Sequence, residues 1–413
     1  MKKSAILLCS TLLLIGCQRQ TEQNVVENFN PFDESQWKLA QEIKADNIDL
    51  DMENEREMDM YKFSDLFSKV EYVKLDTVPE ALFGEMDKLI VTEKGEYIIF
   101  DRGNALILHF AADGKFLNKI GAKGHAKQEY LWPGTVQYDE KSQKVFVSDA
   151  TGHLKEYALD GTFLKDIDIQ CHLSQFGIID DQHFATFGYY YQESGEVDHH
   201  IKIYDFEGNL QAQYVPYQAE PTMIPFVSLD SYVNVGCHLL CNEYDTPLIY
   251  TFEGTTPKPL YYINFGKMTV PGDLALNRNI KDHSSTRDWF RSHDFYNIGR
   301  FFDNPRHLIV TLSKIVGNEG YELLLIHDKE HPNHTQIKFM GINDLGGLIS
   351  THQLMFAQDD KLYFPHEPSI IEDFLSRLDQ APEYQGRIKD ADITLRNELA
   401  ANNNHILQIC TLK

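Results

Sequence analysis

The chain has 413 residues, of which 42% are hydrophobic and 24% charged, enough to bury a large core in one big domain or a few smaller ones. A formal net charge of -24 excludes the basic surface that a phosphate backbone requires, so no nucleic-acid partner is expected. The same charge opposes adsorption of the folded part to an anionic membrane surface.

The N-terminal stretch MKKSAILLCSTLLLIGC has a basic start at Lys2 and Lys3 and an apolar run over 5–15. That run is too short to span a bilayer and reads as an export signal. It ends in LIGC at 14–17, which resembles the bacterial lipobox. The resemblance implies cleavage before Cys17, lipid on Cys17, and a membrane contact made through that anchor only; several acyl chains anchor stably where one binds marginally. Residues 18–63 are polar, and the stretch 41–60 alone holds eight acidic and two basic residues. Such a composition cannot bury enough apolar surface to order itself. It predicts an acidic flexible tether of roughly 35 Å root-mean-square span.

From residue 64 onward the sequence repeats. LILHFAADGKFLNKI at 106–120 matches HLKEYALDGTFLKDI at 153–167, HIKIYDFEGNLQAQY at 200–214 and, more loosely, LIYTFEGTTPKPLYYI at 248–263. The turn glycines Gly114, Gly161, Gly208 and Gly254 are spaced by 47, 47 and 46 residues. Each match is strand, acidic-Gly turn, strand, because glycine supplies the positive φ a tight hairpin needs. The preceding halves match too, GEYIIFDRGNALILHF with QKVFVSDATGHLKEY, so Asp101 has a counterpart in Asp149. A residue that recurs with the repeat is expected to shape a turn rather than to catalyse.

Four strands per unit of about 45 residues is the signature of a β-propeller blade. The first unit has strands near 88–91, 96–100, 105–110 and 115–120. Further units fit 134–167, 176–214, 227–265 and 295–340. A sixth begins at 351, ends in NHILQICTLK, and lacks one strand, which VEYVKL at 70–75 is expected to supply. The fold class is therefore all-β, a six-bladed propeller over 64–413 closed by its N-terminal strand, a closure that removes free edges.

The stretches YIIFDRGNALILHF…DGKFLNKIG and VFVSDATGHLKEYALDGTFLKDI resemble the six-bladed β-propeller lipoproteins of diderm bacteria, relatives of the NHL-repeat propellers. The resemblance is good over 64–265. A Gly-rich stretch after the first blade also fits that group, here IGAKG at 120–124 followed by Glu129 and Tyr130, with Lys127-Gln128 in place of the usual Pro-Gly. It implies a fold and names no activity.

Up-and-down strands put the second-to-third turns and the blade-to-blade connections on one face. The long insertions 188–200, 266–294 and 365–404 all fall there, and function concentrates in such loops. SIIEDFLSRLDQ at 369–380 and SSTRDWFRSHD at 284–294 each carry a capping pattern and an apolar stripe, which predicts helices beside the channel mouth. Arg102, Lys123, His125, Trp132, Arg287 and Arg291 are the ligand-binding candidates on this face. Cations on an acidic protein favour an anionic ligand, and exposed Trp and Tyr suit sugar stacking. HDKEHPNH at 327–334 has metal-type residues but sits on the short-turn face and reads as a solvated turn. Cys237 and Cys241 in CHLLC, about 13 Å apart in an extended strand, cannot bridge; with Cys171 and Cys410 they read as ordinary thiols. No phosphate loop, nucleophile elbow or zinc-protease motif occurs, so no catalytic residue, metal or cofactor is expected. The expected function is a lipid-anchored, monomeric, periplasmic or surface propeller that binds a glycan or peptide. The alternative is a lyase or hydrolase with its site at the channel mouth.

Overall fold

The computed structural model of the chain describes residues 29–45, 61–169, 173, 175–187, 199–216, 232–235, 238–242, 245–277, 284–317, 319–332, 335–338, 341–345, 354, 356–369, 397–398 and 401–413. Six antiparallel sheets stand side by side in a ring, each with four ring strands. Blade one consists of Lys88–Val91, Tyr97–Asp101, Leu106–Phe110 and Phe116–Lys119. Blade two is Pro133–Asp139, Lys144–Asp149, His153–Ala158 and Phe163–Asp168. Blade three is Phe176–Ile178, His183–Phe187, His199–Asp205 and Leu210–Pro216, and blade four is Tyr232–Val235, His238–Asn242, Leu248–Glu253 and Thr256–Asn264. Blade five is Phe295–Asp303, His307–Val316, Glu319–Asp328 and Thr335–Lys338. Blade six takes Phe356–Gln358, Lys361–His366 and Ile406–Leu412 from the C-terminal part and its outer strand, Phe67–Lys74, from the N-terminal part. That closing pair runs from Ile406↔Lys74 to Leu412↔Phe67, so the closing strand starts three residues earlier than the sequence suggested.

The middle strands are apolar on both sides because each blade is covered on both sides. Tyr97–Asp101 is buried at all five positions. Tyr97 and Ile99 pack back against Tyr363, Leu407 and Ile409 of blade six. Ile98 and Phe100 pack forward against Val136, Val145 and Val147 of blade two. A strand in that position shows a continuous apolar run rather than an alternation. The outer strand Phe116–Lys119 has one free side and alternates half-buried with exposed.

The repeated hairpin glycines do two jobs. Gly114, Gly161 and Gly208 have φ of 87°, 88° and 86°. A Cβ on them would also come within 2.2, 2.4 and 2.6 Å of the Lys74, Lys119 and Asp168 carbonyl oxygens. Each of those carbonyls ends the outer strand of the preceding blade. The hairpin of one blade is thus pressed onto its neighbour, and only glycine allows both the dihedral and the approach. Gly254, in blade four, keeps the positive φ of 58° but has no atom within 4 Å of a Cβ. There the neighbour contact is made by the Tyr214 hydroxyl, which donates to the Thr255 carbonyl at 2.7 Å.

The segment expected to be a tether contains an ordered part. Phe29, Phe32 and Trp37 are buried. A short helix, Glu34–Trp37, leads into the strand Gln41–Lys44, which pairs in parallel with Tyr261 to Asn264 and makes blade four five-stranded. Residues 18–28 and 46–60 lie outside the described residues. Of the long insertions, 188–198 and most of the 369–380 helix expectation also lie outside them. The connection from blade four to blade five carries helices at Gly272–Asn277 and Ser284–Ser292, as the capping pattern predicted for the second.

Ring closure is reinforced beside Ile406. The Asn404 side chain donates to the Asp76 and Ala81 carbonyls, at 2.8 and 3.0 Å, and Leu75 N–H donates to the His405 carbonyl. The His405 ring stacks on Phe83 at 4.3 Å, and neither ring nitrogen has a hydrogen-bond partner among the described residues. Burial lowers its pKa to about 4; nearby Asp101 opposes that shift and His366 adds to it. The folded value lies below the unfolded value of about 6.5. As pH falls the unfolded chain takes up the proton first, so this histidine removes stability from about pH 6.5 down to about pH 4. Urea titrations should show a loss of about 2 kcal/mol from this source between pH 7.5 and 5. His405→Phe, which keeps the stack, should lose that much less over the same interval; an unchanged pH dependence would refute the assignment.

Candidate functional site

On the long-insertion face, the described residues place one compact loop, 121–132, between blades one and two. Gly121 turns the chain with φ 64°, and a Cβ there would strike the rings of Tyr130 and Tyr157. Tyr130 N–H donates to the Ala122 carbonyl at 3.1 Å and Gly124 N–H to the Tyr130 carbonyl at 3.0 Å. The Glu129 carboxylate folds under the loop, accepts from Ala126 N–H at 2.9 Å, and would meet any Cβ on Gly124. Blade two braces the loop from below. The Tyr157 hydroxyl donates to the Gln128 carbonyl at 2.9 Å, and the buried Lys155 ammonium donates to the Lys127 carbonyl at 3.0 Å. The Tyr130 hydroxyl reaches the Ala105 and Ile120 carbonyls. Burial raises the pKa of both tyrosines, so they remain donors across the physiological range.

This frame holds Trp132 outward with 60% of its surface exposed. The Lys123 ammonium stands 5.3 Å from the centre of its ring, a cation–π contact. His125 is exposed on the same loop. Trp132 is fixed through its backbone: its N–H and that of Leu131 donate to Asp149, and its carbonyl accepts from Ala150 N–H.

Asp149 and Asp101 do the same work one repeat apart. Each ends the second strand of its blade, is almost fully buried, and holds both the following turn and the connection entering its own blade. Asp101 accepts from Gly84 N–H (2.7 Å), Asn104 N–H (2.9 Å) and the Asn104 side chain (2.8 Å). Asp149 accepts from Leu131 N–H, Thr151 N–H (3.0 Å) and the Thr151 hydroxyl (2.8 Å). Burial by itself raises the Asp149 carboxyl, but the Thr151, Leu131 and Trp132 donors outweigh it and hold the group below the ordinary carboxylate range. A carboxylate with its acceptor sites filled by backbone is a structural anion, which agrees with the turn-forming role predicted for Asp101.

The six sequence candidates separate into two groups. Lys123, His125 and Trp132 share the braced loop. Arg102 is in the neighbouring turn of blade one, where Asp87 accepts its N–H at 2.8 Å and pairs with its guanidinium at 3.4 Å. Arg287 and Arg291 are exposed on Ser284–Ser292, in the connection between blades four and five. Three blades separate that junction from the one between blades one and two, so the two groups face each other across the ring. Sequence reasoning missed the Asp87 clamp on Arg102 and the bracing by Lys155 and Tyr157. The pattern GAKG…EY at 121–130 was the available signal for an ordered loop.

Elsewhere, Asp328, Glu330 and His331 bring ligand-type atoms within 4.8 Å of one another. Asp328 accepts from Glu330 N–H at 2.9 Å and pairs with the His331 ring at 3.1 Å, closing the turn, while His327 of the same stretch is buried. Cys241 and Cys410 are buried thiols outside any disulfide, and burial pushes Cys410 up to about 12, which makes it inert. Cys17, Cys171 and Cys237 lie outside the described residues.

Fold and face together define a six-bladed β-propeller with helical elaboration on one end. The chain belongs to the family described as a domain of unknown function, DUF4934, whose shared region matches residues 45–411. Among solved structures it is similar to a protein of Bacteroides fragilis named as a candidate exported protein: 17% identity, TM-score 0.65, covering 91% of this chain and 99% of that one. It also matches a member of the DUF4221 family from Bacteroides vulgatus at 10% identity and TM-score 0.48, over 84% of this chain and 97% of the other. No curated protein matches the sequence.

Asp149→Ala leaves the Leu131, Trp132 and Thr151 donors without an acceptor. We expect a loss of about 2–3 kcal/mol in urea unfolding and faster proteolysis at the Lys123 and Lys127 bonds. Wild-type cleavage rates in the variant would show that the loop is braced from elsewhere.

Proposed function

We propose that the protein is a lipid-anchored, extracytoplasmic binding propeller, and that it takes an acidic glycan on the Trp132 loop. The observation that carries this is the exposure of Trp132 on a loop locked in place by Tyr130, Tyr157, Lys155 and Asp149. A rigid aromatic plane offers a stacking surface to a sugar ring without an ordering cost on binding. Lys123, whose ammonium lies over the ring, supplies a cation for a carboxylate or sulfate, with His125 on the same loop and Arg102 in the neighbouring turn. The buried carboxylates of the same face, Asp101 and Asp149, are occupied as turn anchors, which favours recognition over acid–base chemistry.

Export and anchoring rest on the N-terminal signal and the lipobox-like LIGC ending at Cys17, and the likeness to a Bacteroides protein named as exported is in keeping with it. Cys17→Ser should move the protein from the membrane fraction to the soluble one; unchanged detergent dependence would remove the anchor from this proposal.

Calorimetric titration of the soluble chain with a polyuronate, a sulfated glycan and a neutral glucan tests the ligand class. Binding of the acidic polymers should fall at least tenfold in Trp132→Ala and in Lys123→Gln and weaken with salt. Binding of acidic peptides alone, or binding that is indifferent to both substitutions, would displace the glycan from this loop.

A further inference from the structure

The ordered segment 29–45 touches more than the edge of blade four. Phe29, Phe32 and Trp37 share one apolar cluster with Tyr214 and Val215 at the end of blade three and with Leu248, Tyr250 and Phe252 of blade four. The same cluster takes in Val270 and Ala275 from the blade four–five connection, and Leu274, Leu276, Trp289 and Phe290 pack against it. The first helix of that connection is therefore built directly on the N-terminal segment, and the second joins the same cluster through Trp289 and Phe290.

The contacts are specific. Phe29 lies 4.9 Å from Tyr250, ring centre to ring centre, and Trp37 stacks on Tyr262 at 5.6 Å. The Trp37 indole N–H donates to the Pro31 carbonyl at 2.8 Å, so its one polar atom is satisfied. Gly272, the first residue of the first helix, donates its N–H to the Glu34 carboxylate at 3.3 Å. A Cβ on Gly272 would come within 1.9 Å of the Phe32 carbonyl oxygen and 3.4 Å of the Trp37 ring. Backbone meets backbone there with no room for a side chain.

The second helix leans on that shared cluster. Ser284–Ser292 has nine residues, of which only Thr286 is fully buried, and Trp289 and Phe290 are half-buried. A helix of that length does not hold in water by propensity; tertiary packing of its apolar side must hold it. The ladders of the four ring strands of blade four do not run through Gln41–Lys44, which adds to the outer edge of Thr256–Asn264.

We propose that residues 29–45 act as a clip which positions the two connection helices, and with them Arg287 and Arg291, on the long-insertion face. Undocking the clip frees the helices while the six blades stay intact. Coupling of this kind is reciprocal: loosening the helices also loosens the clip. Cys17 stands only 12 positions ahead of Phe29. A pull on an anchor at Cys17 would therefore reach the clip before it reaches the ring. The clip packs in this way whether or not Cys17 carries lipid.

Hydrogen-exchange mass spectrometry on the soluble chain tests this. In Phe32→Ala/Trp37→Ala, amides of 284–292 should exchange at least tenfold faster than in the wild type, with those of 97–110 and 144–158 unchanged. Fast exchange at 41–44 with wild-type protection at 284–292 would overturn the proposal. Should the double variant lose its global unfolding transition, Gly272→Val attacks the same contact from the helix side. It should accelerate exchange at 41–44 as well as at 284–292. Acceleration confined to 272–277 would equally overturn it.

Discussion

A blade in a closed ring has a neighbour on each side, and that requirement governs the rest of this structure. The two middle strands of each sheet have little solvent face, so they are largely apolar, as 97–100 and 145–147 are. A polar group placed there costs about 1–3 kcal/mol if it is left unpaired. The chain meets this by ending several second strands in a polar residue whose partners are backbone or a neighbouring strand. Asp101 and Asp149 gather N–H donors, the Asn242 amide donates to the Thr246 and Leu248 carbonyls, and the His366 ring meets Gln408 at 2.8 Å. These four positions are turn anchors before they are anything else. The side chains left for recognition stand one or two residues further out, in connections that face solvent.

Closure imposes a second demand. The strand Phe67–Lys74 comes from one end of the sequence and Ile406–Leu412 from the other, so the last blade forms only when distant parts of the chain meet. The contacts that secure it at the 402–405 end are polar and local: Asn402 and Asn404 bind the carbonyls of 75, 76 and 81. His405 is the exception, a buried ring in the middle of the seam whose nitrogens find no partner among the described residues. It makes the seam stable at neutral pH and weaker in acid.

Much of this was legible in the sequence, for a physical reason. The hairpin glycines of blades one to three recur because each must both turn the chain and touch the preceding blade, and that shared constraint leaves a period of 47 residues. The closing strand was legible because the sixth unit was one strand short. The clip was not. Averaged over 18–63 the composition is that of a solvated chain, and the average hides Phe29, Phe32 and Trp37, three aromatics with no strand or helix period between them. Their value comes from Tyr250, Tyr262 and Gly272, more than two hundred residues away. The candidate site was legible in the same partial way. Local pattern marked the 121–132 loop, whereas the pairing of Arg102 with Asp87 needs a contact across the blade that no local pattern reports.

The pressing of each third-to-fourth-strand hairpin onto its neighbour also bears on how such a protein can change over evolutionary time. A turn wedged against a carbonyl cannot accept an extra residue without separating two blades, so insertions at Gly114, Gly161 and Gly208 are forbidden by geometry. Blade four is released from this rule, since its hairpin glycine meets nothing. The long insertions at 188–200, 266–294 and 365–404 all fall at the opposite end. Relatives built on this ring should therefore diverge in length and chemistry at one end while the other keeps a fixed outline, and a new specificity can be acquired there without renegotiating the packing of the ring.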